Sequence, residues 1–85
     1  MALPDKFPPY LYAWIGEDEL GSGEVGVKQG WCPAGYIPAV SIDEQKARRF
    51  AEGFQHQAAN YGKRIYLVRF AVEAILDYTA AGEPL

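Results

Sequence analysis

Residues 42–61 constrain this chain most, because they fold well as one thing only. Ala47, Phe50, Ala51, Phe54, Ala58 and Tyr61 recur at helical spacing. At ~100° per residue they fall within a stripe roughly 100° wide. Ser41 stands where an N-cap belongs, and Glu44, three residues on, completes a capping box. Asp43 and Glu44 suit the positive end of the helix dipole. Gly62 supplies the left-handed residue that ends the helix. The pattern predicts one long amphipathic helix over 42–61, weakened by about 1 kcal/mol at Gly53 relative to alanine.

That stripe needs a partner layer, and strand-like segments lie on both sides of it. Residues 10–15 are aromatic and apolar between Pro9 and Gly16. Tyr10, Tyr12 and Trp14 share one face, and Leu11, Ala13 and Ile15 the other. Residues 17–23 form a polar glycine loop, and 24–28 a short strand with Val25 and Val27 together. Residues 30–35 read as a turn. Residues 36–40 read as a strand whose Pro38 confines it to an edge or a bulge. Residues 64–72 are the best strand, expected at the centre of the sheet after a tight turn at Gly62-Lys63. Residues 73–80 fit a short helix or another strand equally well. The ends, an arm over 1–8 and a tail over 81–85, read as extended and frayed.

The expectation is therefore a single α+β domain over 1–85. A small, mainly antiparallel sheet of three to four strands packs on one long helix, in the order β-β-β-α-β. A chain of 85 residues allows no second domain.

Charge and cysteine content exclude several roles. With 11 acidic and 8 basic residues the net charge is −3, the wrong sign for general nucleic-acid or anionic-lipid binding. No apolar run approaches the ~20 residues that span a bilayer, and none follows the first residues as in a signal peptide. The single thiol, Cys32, forms no internal disulfide, which makes a reducing cytoplasm the default location.

Each candidate catalytic or cofactor site fails on its chemistry. Gly21-Ser22-Gly23-Glu24-Val25-Gly26 matches a dinucleotide-binding spacing, but no helix follows to receive the pyrophosphate, and Glu17, Asp18, Glu19 and Glu24 repel it. Cys32 and His56 are expected on opposite sides of the helix. One His and one Cys do not make a zinc site, and Glu17-Asp18-Glu19 lacks EF-hand spacing. No catalytic residue, metal or cofactor is expected. Lys46, Arg48 and Arg49, with Lys63 and Arg64, form the only basic cluster, offset by Glu44 and Glu52. Arg69 falls on the Ile65 and Leu67 face of an apolar strand, where it needs a salt bridge or serves as a ligand anchor.

Counting layers points to a surface. One helix covers one face of such a sheet, yet both main strands are apolar on both faces. Unless 73–80 closes the second face, either Tyr10, Tyr12 and Trp14 or Tyr66, Val68 and Phe70 form an exposed apolar patch. Such patches mark partner or self-association sites. Trp31 offers a second anchor. Tyr10, Tyr12, Trp14, Trp31, Tyr66 and Phe70 are the candidate partner-binding residues.

The stretch 10–28, an aromatic strand, a glycine loop and a valine strand, resembles the opening hairpin of small hairpin-plus-helix nucleases. The paired tyrosine-glycine motifs of that family are absent, so no catalytic residue carries over. The sequence points instead to a non-catalytic protein-interaction module, binding another protein or itself as a homodimer. Its size and acidity suit a phage or prophage accessory or inhibitor protein. The alternative is a small ligand-binding protein or enzyme using the glycine-acidic loop with Arg69.

Overall fold

The computed structural model describes residues 3–18 and 21–79. The fold is α+β, and among the described residues there are six strands and two helices: β1 (Tyr10–Glu17), β2 (Val25–Val27), β3 (Gln29–Cys32), β4 (Gly35–Pro38), β5 (Val40–Ser41), α1 (Glu44–Arg48), α2 (Ala51–Tyr61) and β6 (Ile65–Ala71). Every strand pairing is antiparallel.

The centre of the sheet is β1, not β6. One edge of β1 pairs with β6 from Tyr10↔Ala71 to Gly16↔Ile65. Its other edge pairs with β5 at Tyr12 and Ala13 and with β2 from Ile15 to Glu17. The expected central place for β6 rested on its apolar run. The aromatic strand takes that place because it alone meets three partners, which leaves β6 at an edge.

Two readings of the middle segment change. The residues expected as a turn over 30–35 include most of β3, which pairs with β4 as a ribbon around Pro33 and Ala34. The strand expected over 36–40 is split at Ala39. Its first half belongs to the ribbon and its second half, β5, to the main sheet. Ala39 closes the base of the ribbon, its N–H donating to Lys28 O at 2.9 Å and its carbonyl accepting from Trp14 N at 3.0 Å. It is completely buried, so a side chain larger than a methyl has no place there.

The helix is likewise divided. Ser41 lies in β5, paired with Tyr12, so the chain turns into the helix two residues later. Asp43 is the N-cap, its Oδ1 accepting from Gln45 N at 2.8 Å and Lys46 N at 3.3 Å. Ser41 instead accepts from Asp43 N at 3.0 Å. After Arg48 the chain tightens: Arg49 N donates to Lys46 O and Phe50 N to Ala47 O, both at 3.3 Å. The Trp14 indole donates to the same Ala47 carbonyl at 2.7 Å. It thus occupies the acceptor that residue 51 would use in a continuous helix, a recognised cause of a break. Gly62 ends α2 as expected, at φ 66°, donating to Ala58 O.

Both helices lie on the Trp14 face of the sheet. The core there is Phe54, 2 % exposed, with the Trp14 ring at 5.1 Å and Phe50 at 6.1 Å between centroids. Phe50 also presses on β3 at Gly30. Residues 72–79 form neither helix nor strand, and Leu76 is 95 % exposed. Residues 3–9 contain a turn, closed by Phe7 N to Pro4 O, rather than running fully extended. The expected tail over 81–85 lies outside the described residues.

Candidate interaction surface

Cross-strand pairing defines the second face of the sheet residue by residue, since directly opposed residues share a face. Leu11, Ala13, Ile15 and Glu17 of β1 stand on it. From β6 come Phe70, Val68 and Tyr66; from β5, Val40; and from β2, Val27 and Val25. Only Glu17 among these is polar, and it sits at one end, where the Lys63 ammonium pairs with its carboxylate at 3.1 Å. Ala13 and Val68 are shielded by their neighbours, but Val25 is 65 %, Tyr66 53 % and Phe70 46 % exposed. No described element of the C-terminal segment forms a second layer over them.

The expected partner-binding residues separate accordingly. Tyr66 and Phe70 stand together on the open face. Tyr12 and Trp14 stand on the opposite face, Trp14 half-buried against Phe54 and α1. Tyr10, on the same face as Trp14, lies at the sheet end beneath Arg69, whose guanidinium carbon is 4.6 Å from the ring centroid. Trp31 is exposed on β3 rather than in a turn, opposite Tyr36. Leu11, Val25, Val27 and Val40 complete the face and were not singled out from sequence. The sequence places Leu11 with Ala13 and Ile15 but not on the open face, and the short strands of Val25, Val27 and Val40 carry too weak a periodicity to assign a face before the register is known.

Arg69 meets its need without a carboxylate. As an edge residue it is exposed, and it lays its charge on the Tyr10 ring. The glycine-acidic loop begins beyond the other end of β1. Tyr12, opposite Arg69, is five residues from Glu17, about 17 Å along a strand. Among the described residues, the loop and Arg69 stand toward opposite ends of β1.

The loop itself is a hairpin connection between β1 and β2. Asp18 accepts from the Ser22 hydroxyl and from Ser22 N, the latter at 3.0 Å, and Ser22 Oγ accepts from Glu24 N. A cavity of about 640 Å³ opens beside it, lined by Glu17, Asp18, Glu24, Lys28, Gln57 and Asn60 among others. A second, of about 430 Å³, lies under the ribbon between Trp31, Tyr36, Phe50 and His56. His56 is exposed as expected yet faces this ribbon, and half-buried Cys32 does not line the cavity.

Among the described residues no three His, Cys, Asp or Glu side chains converge on a common point, and no helix is long and apolar enough to cross a membrane. No family model, curated protein or solved structure matches this chain.

Proposed function

We propose that this chain is a non-catalytic protein-interaction module whose binding surface is the open face of the sheet. One observation carries the reading: a four-stranded face, apolar except for Glu17, whose large side chains are about half exposed. Water is a poor neighbour for so continuous a patch, and covering it gains about 25 cal/mol per Å² of apolar area. Aromatic Tyr66 and Phe70, on the β6 side of that face, are the residue types that dominate such interfaces. The single thiol suits a reducing, cytoplasmic setting.

The test compares tagged wild-type protein with a Tyr66→Ser/Phe70→Ser variant in affinity capture from lysate, with thermal melts of both. Wild type retains a stoichiometric protein that the equally folded double variant loses, while Arg69→Ala retains it. A protein held equally by wild type and double variant moves the site elsewhere. Retention of nothing by either, from a chain that is also monomeric in solution, overturns the reading.

A further inference from the structure

The outer edge of β6 is unpaired among the described residues, and its hydrogen-bonding groups can be assigned one by one. Trp14 donates to Ala39 O at 3.0 Å and accepts from Lys28 N at 2.8 Å, so its peptide groups point away from β6. Bonded pairs alternate along an antiparallel ladder. Leu11↔Phe70, Ala13↔Val68 and Ile15↔Tyr66 are therefore the bonded pairs between β1 and β6. The bond from Val72 N to Pro9 O at 3.0 Å keeps the same alternation. The N–H and C=O groups of Ile65, Leu67, Arg69 and Ala71 then face outward.

Natural sheets blunt such edges with proline, lysine, bulges or a covering segment. β6 contains no proline or lysine, and its pairing with β1 runs without a bulge. Its one charge, Arg69, is laid inward over Tyr10. The edge is unbulged, seven residues long and, among the described residues, open.

We propose that this edge pairs with the same edge of a second copy, antiparallel about a two-fold axis at Val68, fusing two sheets into one. The inference rests on the interaction reading above and names the partner. Pairing Val68 with Val68 sets Tyr66 opposite Phe70 of the other copy, twice, on the open face, a favourable aromatic pair. Arg69 then opposes Leu67. Sliding the register by two residues in one direction sets Arg69 against Arg69, and in the other it shortens the ladder. The outward groups match, giving about eight main-chain bonds.

Charge agrees. Lys63 and Arg64 precede β6 and Glu73 follows it, so an antiparallel pair sets the basic end of each strand beside the acidic end of the other.

Sedimentation equilibrium of the full chain, from micromolar to near-millimolar concentration, should approach twice the 9.4 kDa of the chain. Arg69→Pro removes an outward N–H at an exposed position and should halve the mass while the circular dichroism stays that of wild type. In a Cys32→Ser background, Val68→Cys should oxidise to a covalent dimer, because a non-bonded antiparallel pair holds its Cα atoms ~4.5 Å apart. Tyr66→Cys should not, its counterpart lying about 13 Å along the strand. A folded monomer at every concentration overturns the pairing; if it still captures a protein through Tyr66 and Phe70, the interaction reading stands without it. A dimer that survives Arg69→Pro and leaves Val68→Cys uncrosslinked also overturns it.

Discussion

A Cβ placed on Gly30 would lie 2.1 Å from the Phe50 ring, so the contact between ribbon and helix depends on a missing methyl group. Gly30→Ala is expected to cost about 1–3 kcal/mol, as overpacked cores do. The cost should shrink in a Phe50→Leu background, because the two residues share one contact. Urea unfolding of the four proteins in that cycle checks both statements. Asp43 provides a second residue-scale test. Asp43→Ala removes the acceptor for Gln45 N and Lys46 N and should cost about 1 kcal/mol, with Asp43→Ser restoring most of it. Glu44→Ala loses only the exposed pair with Arg48 at 2.9 Å and should cost a few tenths of a kcal/mol. Equal losses at 43 and 44 would return the cap to Ser41 and Glu44.

At the scale of elements, α2 carries a glycine it does not need. Gly53 is exposed, and a Cβ there meets nothing within 4 Å. Gly53→Ala should stabilise the protein by about 0.5–1 kcal/mol, read as a rise in the urea midpoint. Gly62 differs, because its φ of 66° lies where side chains are strained; alanine there should cost about 1 kcal/mol. In β6 the two edges make a contrast within one strand. By hydrogen exchange, the amides of Val68 and Phe70, bonded to β1, should be slow at every concentration. Those of Leu67 and Arg69 should slow only as concentration rises and the outer edge is paired.

The whole molecule is longer and looser than its size requires. Its radius of gyration is 15.7 Å over extents of 46 × 27 × 26 Å, where a compact chain of this length has about 12 Å. Among the described residues the buried hydrophobic side chains are four, Ala13, Ala39, Ala47 and Phe54, each 2 % exposed or less, and three of them are alanines. One helical layer on one sheet face leaves the other face as a half-built core. A hydrophobic dye should therefore bind the folded protein. Tyr66→Ser/Phe70→Ser should lower its fluorescence without lowering the melting temperature by more than about 5 °C, since both side chains are already half in water. A large loss of stability would mean that the face is already covered.

The local grammar of this chain is legible without coordinates. Phe54 and Ala47 had to be buried by their spacing, Gly62 had to end a helix, and residues 10–15 and 64–72 had to be strands. From these came the α+β class and the argument that one sheet face lacks a layer. Pairing decided the rest. Whether Trp14 or Tyr66 belongs to the open face depends on which side the helix lands, and both faces of both strands are apolar enough to receive it. The Trp14 ring packed on Phe54 and its indole N–H on the Ala47 carbonyl distinguish them. The same bond breaks the helix, and the pairing of Ser41 with Tyr12 moves its cap to Asp43. Periodicity records how a segment divides between oil and water. Strand order and register follow from hydrogen bonds between residues far apart in sequence, and no single segment encodes them.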